Sequence, residues 1–142
     1  MADRRNRVAF DGIGYEAQTF LIDNSTITYS ATVANGSAKV GLAVAFSASK
    51  TVETAGDGEE VIGKLISVES DNKAVVQTGG YMTLPGGNGA ALTPGKKIVG
   101  ALNASSAEGY IREVATGTAG ELGLARGMII DAGTTTAVVV KL

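Results

Sequence analysis

No histidine, cysteine or tryptophan occurs anywhere in the 142 residues, and only 5% of them are aromatic. Without cysteine the chain has neither disulfide staples nor thiolate metal sites. Without histidine it lacks the side chain most used for proton transfer near neutral pH. There is no excess of positive charge: 12 basic against 14 acidic residues leave a net charge of −2, so no basic field is offered to nucleic acid. The few aromatics are not interleaved with basic residues, which also argues against single-strand binding. Long apolar runs are missing, and none of 18 residues exists to cross a membrane. The start, Met1-Ala2-Asp3-Arg4-Arg5-Asn6-Arg7, has no apolar core of a signal peptide. These features predict a chain made and used in a cytoplasm, or released from one by lysis.

What is present is glycine, valine and alanine. Twenty glycines but two prolines suit many turns joined by regular strands, and 44% apolar residues can supply a thin core. A chain of this length buries roughly two-thirds of its unfolded surface, so oligomerisation is an attractive further source of burial. Ile27, Tyr29, Ala31 and Val33 alternate with polar residues, and Asn35-Gly36 then supplies the positive φ angles of a tight hairpin turn. Val40, Leu42, Val44 and Phe46 alternate with Gly41, Ala43 and Ala45, a small-residue face suited to close packing on another backbone. Further strands are expected at Val61–Val68, Ala74–Thr78, Tyr81–Leu84, Lys97–Leu102 and Tyr110–Val114. A last hairpin is expected from Gly127–Ile130 to Ala137–Lys141, across Asp131-Ala132-Gly133. Ala119–Arg126 is the one modest helix candidate, and each of its glycines costs about 1 kcal/mol relative to alanine. Turns spaced about 8–12 residues apart with no long helix predict an all-β fold, a small β-barrel or sandwich.

The first 26 residues differ from the rest. Arg4, Arg5 and Arg7 crowd the start, and Phe10, Tyr15 and Phe20 follow at wide spacing. They read as an extended N-terminal arm (residues 1–26) before a barrel-like domain (27–142), with those six residues as candidate contacts to a partner or a neighbouring subunit. The other reading is a first core strand behind a basic tail. On the arm reading, deleting residues 2–25 removes partner binding and leaves the β domain folded. Gly36, Val40, Gly41 and Ala45 also match Gly95, Val99, Gly100 and Ala104 at one offset. Such matches arise by chance in an Ala- and Gly-rich chain; a true duplication would build the domain from two similar β units.

No motif carries chemistry. Gly12-Ile13-Gly14-Tyr15-Glu16-Ala17 has dinucleotide-type spacing but runs on into strand-like sequence rather than a helix. Gly89 to Lys97 misses the phosphate-loop spacing by one residue and lacks its Ser or Thr. Asp57-Gly58-Glu59-Glu60 lacks the calcium-loop spacing and reads as a solvated turn. The expectation is therefore a protein that is not an enzyme, with no catalytic residue, metal or cofactor.

Several segments carry a family resemblance: Ala34-Asn35-Gly36-Ser37-Ala38-Lys39-Val40-Gly41, Glu60-Val61-Ile62-Gly63-Lys64-Leu65 and Val75-Val76-Gln77-Thr78-Gly79-Gly80. A Pro-Gly-rich turn, Leu92-Thr93-Pro94-Gly95-Lys96-Lys97-Ile98-Val99 and a C-terminal strand pair complete the set. Together, from Thr28 to Leu142, they resemble the small capsid cement, or decoration, proteins of tailed bacteriophages. The resemblance implies a β-barrel-like domain, typically a homotrimer, that binds the major capsid protein on the outer surface of the virion and reinforces the expanded shell. It implies no catalytic motif and does not extend to the Arg-rich start. A tail, baseplate or glycan-binding β module is the alternative, with Tyr81 and Tyr110 as its candidate stacking residues.

Overall fold

A five-stranded closed barrel organises the first half of the chain, and two smaller sheets lie against it. The computed structural model describes residues 13–115, 119–134 and 137–142. Arg4, Arg5, Arg7 and Phe10 lie outside the described residues. The barrel strands are β1 (Glu16–Ile22), β2 (Ala43–Ala48), β3 (Thr51–Thr54), β4 (Gly63–Val68) and β5 (Lys73–Gly79), in spatial order β1-β3-β2-β4-β5 and back to β1. β1 runs parallel to β3 and antiparallel to β5, and the remaining pairs are antiparallel. β6 (Tyr81–Leu84), β10 (Ala137–Lys141) and β9 (Met128–Thr134) form a three-stranded sheet, while β7 (Ile98–Ala101) pairs with β8 (Tyr110–Glu113). One short helix, α1 (Ala119–Leu124), precedes β9. The expected all-β barrel is thus the fold observed.

Period-two alternation explains the packing. Ile22, Val44, Val52, Leu65, Val68, Ala74 and Val76 fill the barrel with Ile27 and Ile62. Met82, Leu84, Ile98, Ile111, Ile129, Val138 and Val140 form a second core between the sheets. β2 serves both. Val44 points into the barrel, whereas Ala43 and Ala45 on its other face belong to the second core, where their small side chains admit close approach. Gly100 makes a similar approach: a Cβ there would sit 2.1 Å from the Gly56 carbonyl oxygen. The loop at 56–59 instead bonds to that residue on both sides, through Gly58 N–H to Gly100 O and Gly100 N–H to Glu59 O, each 2.9 Å. Gln77 is buried between β5 and β6, and its amide donates to the carbonyls of Gly79 and Tyr81.

Several expectations need correction. Residues 16–22 of the supposed arm are barrel strand β1, bonded in register to β5 from Glu16 to Leu21, so deletion through residue 25 removes part of the barrel. Ile27–Val33 is not a strand. Asp23 stops the chain after β1, its carboxylate accepting the backbone N–H groups of Ser25, Thr26 and Ile27 and the hydroxyls of Ser25 and Thr26. Asn35 and Gly36 do take positive φ, 58° and 85°, but in a 3-10 turn that joins no strand pair. The final hairpin does not turn at 131–133, because β9 continues through Thr134. The internal echo also lacks a structural counterpart, since Val40 and Gly41 lie in a turn and Val99 and Gly100 lie in β7.

Candidate interaction surface

β1 closes the barrel at one end only. Its contact with β3 is confined to Leu21↔Thr51 and Ile22↔Val52, while its ladder with β5 extends back to Glu16. Leu21 donates its N–H to Lys50 O on the β3 side. Alternation along the strand therefore turns the backbone groups of Ala17 and Thr19 to that same edge. No described residue pairs with them there. Residues 16–19 are exposed throughout, so β1 leaves a short open seam in the barrel wall.

The seam opens onto a groove of mixed character, with Glu16, Gln18, Thr78 and Arg126 beside Phe20, Phe46, Ile62 and Leu142. Glu16, Gln18, Phe20 and Ile22 share one face of β1, and this face looks across to Phe46 of β2. Phe20 packs against the barrel core, and Phe46, on the Val44 face of β2, stays 53% exposed. The groove encloses about 410 Å³, with Ile62, Leu142 and Arg126 on its far side. A second depression of about 180 Å³ shares Phe46 and Ile62 and ends at Leu124 of α1. Phe46 and Ile62 thus link the β1 groove to the depression beside α1. On its wall, the Thr78 hydroxyl is buried and finds no hydrogen-bond partner among the described residues. Such a group carries the desolvation cost of an unmade bond.

The residues expected to bind divide accordingly. Phe20 lines the groove, and Tyr15 is exposed where the chain enters β1. Gly14 leads into that strand and not into a helix, which removes the dinucleotide reading. Phe46 was missed. Its place in the alternation after Val40, Leu42 and Val44 marks it as interior, and nothing local announces that the barrel is open beside it. Of the two late tyrosines, Tyr81 lies beneath Lys141 Nζ, 5.8 Å from its ring centroid. Tyr110 lines a separate groove of about 350 Å³ with Pro85–Gly89 and Asn103.

The charged side chains hold the fold together. Arg112 bonds Glu121 through both terminal nitrogens, at 2.5 and 2.9 Å, and its Nε donates to Asp57 at 3.0 Å. The Arg112 bonds, aided by the Ala115 N–H, hold Glu121 down to about 2 against its ordinary 4.5. Burial alone would raise Asp23, but the bonds from Thr26, Ile27 and Ser25 outweigh it and lower the carboxyl to about 2. Glu59 accepts the Gly56 N–H and Glu60 bonds Arg126, so the acidic turn at 57–60 has its carboxylates individually engaged. Glu53 moves the other way, raised by burial and by the nearby charges of Glu59, Asp23 and Glu108. Among the described residues no group of three or more acidic side chains is placed to hold a metal ion.

No protein-family model matches this chain, and no curated protein matches it.

Proposed function

We propose that this chain is a structural virion protein, which binds the major capsid protein on the outer surface of an icosahedral phage shell and stabilises its expanded form. The observation that carries the reading is the open seam of β1 beside the Phe20–Phe46 groove. Main-chain groups on Ala17 and Thr19 that no described residue bonds can take an added extended segment, and the adjacent groove, with Phe20 and Phe46 in its lining, can seat its side chains. Exposed Tyr15, and Arg4, Arg5, Arg7 and Phe10 earlier in the sequence, are the further candidate contacts of this reading. The resemblance of Thr28–Leu142 to capsid cement proteins supports a homotrimer. An oligomer that engages several lattice sites gains roughly 10²–10⁴ in avidity over each single contact. The role requires no catalysis and no cofactor.

The test is co-sedimentation of the purified protein with expanded, undecorated capsids of its source virus. Saturable binding at a fixed stoichiometry supports the reading, and clean absence of binding sinks it. A second reading rests on the Tyr110 groove, where an aromatic ring stands beside the side chains of Asn88 and Asn103. Reproducible hits on a glycan array, lost in Tyr110→Ala, would favour a glycan-binding module.

A further inference from the structure

The dipeptide Asn-Gly occurs twice in this chain, at Asn35-Gly36 and Asn88-Gly89, and the fold places the two copies in opposite settings. An asparagine followed by glycine is open to attack by the glycine's backbone nitrogen on its side-chain carbonyl carbon, because no Cβ hinders the approach. At the first site that nitrogen is engaged. Gly36 N–H donates to Val33 O at 3.1 Å, and Gly36 O accepts the Ser30 N–H at 2.8 Å. Gly36 is also pressed onto Val68, whose carbonyl oxygen occupies the space a Cβ would need. The turn cannot swing without breaking these contacts.

The second site is open. Asn88 and Gly89 are both exposed, at the centre of a turn closed by Ala90 N–H to Gly87 O at 3.2 Å. Nothing lies within 4 Å of the position a Cβ on Gly89 would take. The Gly89 N–H makes no hydrogen bond among the described residues. Among the described residues Asn88 is anchored through its own N–H, which donates to Leu102 O at 2.9 Å, and no hydrogen bond holds its side chain.

We propose that Asn88 is a site of spontaneous covalent self-modification. The Gly89 nitrogen attacks Asn88 Cγ, and a new C–N bond closes a five-membered succinimide. The Cγ–Nδ2 bond breaks, and Nδ2 departs as ammonia with the proton that Gly89 loses. Water then opens the ring at either carbonyl, leaving aspartate or isoaspartate; water is the only co-reactant. Both products add a negative charge beside Asp57 and Arg112, which share a depression with Asn88. The isoaspartate product also lengthens the main chain by one carbon next to the Leu102 bond. Either product alters the rim of the Tyr110 groove, to which Asn88 belongs.

The experiment is peptide mapping by mass spectrometry of the full chain, held at physiological temperature in mildly alkaline buffer, folded and in denaturant. In the folded protein the Asn88 peptide is expected to gain one dalton and split into two species. The Asn35 peptide should react slower by roughly an order of magnitude or more, since it must first open locally. In denaturant the two rates should converge. Gly89→Ala, with its fold checked by thermal melting, should suppress the Asn88 reaction and leave Asn35 unchanged. An Asn88 that keeps its amide as long as Asn35 does in the folded chain overturns the proposal, as does equal reaction at both.

Discussion

Phe20 and Phe46 meet edge to face across the barrel mouth, with ring centroids 5.5 Å apart and an interplanar angle of 79°. An edge-to-face pair contributes about 0.5–1.5 kcal/mol beyond its buried area. Because Phe46 is more than half exposed, Phe46→Ala should cost only about 1 kcal/mol in urea unfolding. If the groove is the contact surface, the same substitution should lower capsid co-sedimentation far more than that loss explains. Undiminished binding by a folded Phe46→Ala protein would move the contact elsewhere.

Truncations separate the arm from the barrel. Removal of residues 2–12 leaves every described strand in place, and the product should melt cooperatively. Removal of residues 2–22 takes all of β1, including buried Ile22 and the ladder to β5. That product should show no cooperative transition in circular dichroism. Loss of capsid binding in the first truncation would assign a role to Arg4, Arg5, Arg7 and Phe10.

Acid should unfold the protein through two carboxylates in particular. Asp23 and Glu121 are both lowered to about 2, from ordinary values of 3.8 and 4.5. Their contribution is therefore complete above about pH 4.5 and is lost as pH falls toward 2, where the unfolded chain takes up protons first. Glu121→Gln should cost about 2 kcal/mol at neutral pH, the scale of hydrogen bonds to charged groups, and flatten the acid limb of the stability curve. Glu53 has the opposite sign. Its raised carboxyl opposes folding when ionised, so Glu53→Gln should raise the melting temperature at pH 7. A Glu53→Gln melting point below that of the parent would contradict this assignment.

Gly100→Ala tests the close approach of β7 to the loop at residue 56. The added methyl would meet the Gly56 carbonyl oxygen at 2.1 Å, and that contact is rigid backbone. A loss of more than about 3 kcal/mol is expected from such overpacking. Denaturant titration reads it directly, and a loss under 1 kcal/mol would mean that the loop moves aside at little cost.

Much of the two smaller sheets was legible from alternation alone. Tyr81–Leu84 matches β6 at both ends, and the expected strands at 97–102 and 110–114 contain β7 and β8. The failures have local causes. Thr28, Ser30 and Thr32 alternate with apolar residues as a strand would, but the Asp23 carboxylate captures the following N–H groups and bends the chain away. The sequence left β1 open between an arm and a first core strand because Glu16–Thr19 are exposed on both faces and offer no apolar period to read. The strand reading is the one the ladder to β5 supports. β3 is four residues long with Val52 its one apolar residue, and only its partners define it. Of the groove residues, the sequence singled out only Phe20 as a candidate contact. Its counterpart Phe46 becomes visible only once β1 and β3 are known to part after two residue pairs.

β2 gives the molecule a party wall. With Val44 set into one core and Ala43 and Ala45 into the other, neither half can slide or melt without tearing the lining of its neighbour. A force applied at the barrel mouth is therefore expected to reach the sheet of β6, β10 and β9 through these three consecutive residues, and both cores to unfold in one step.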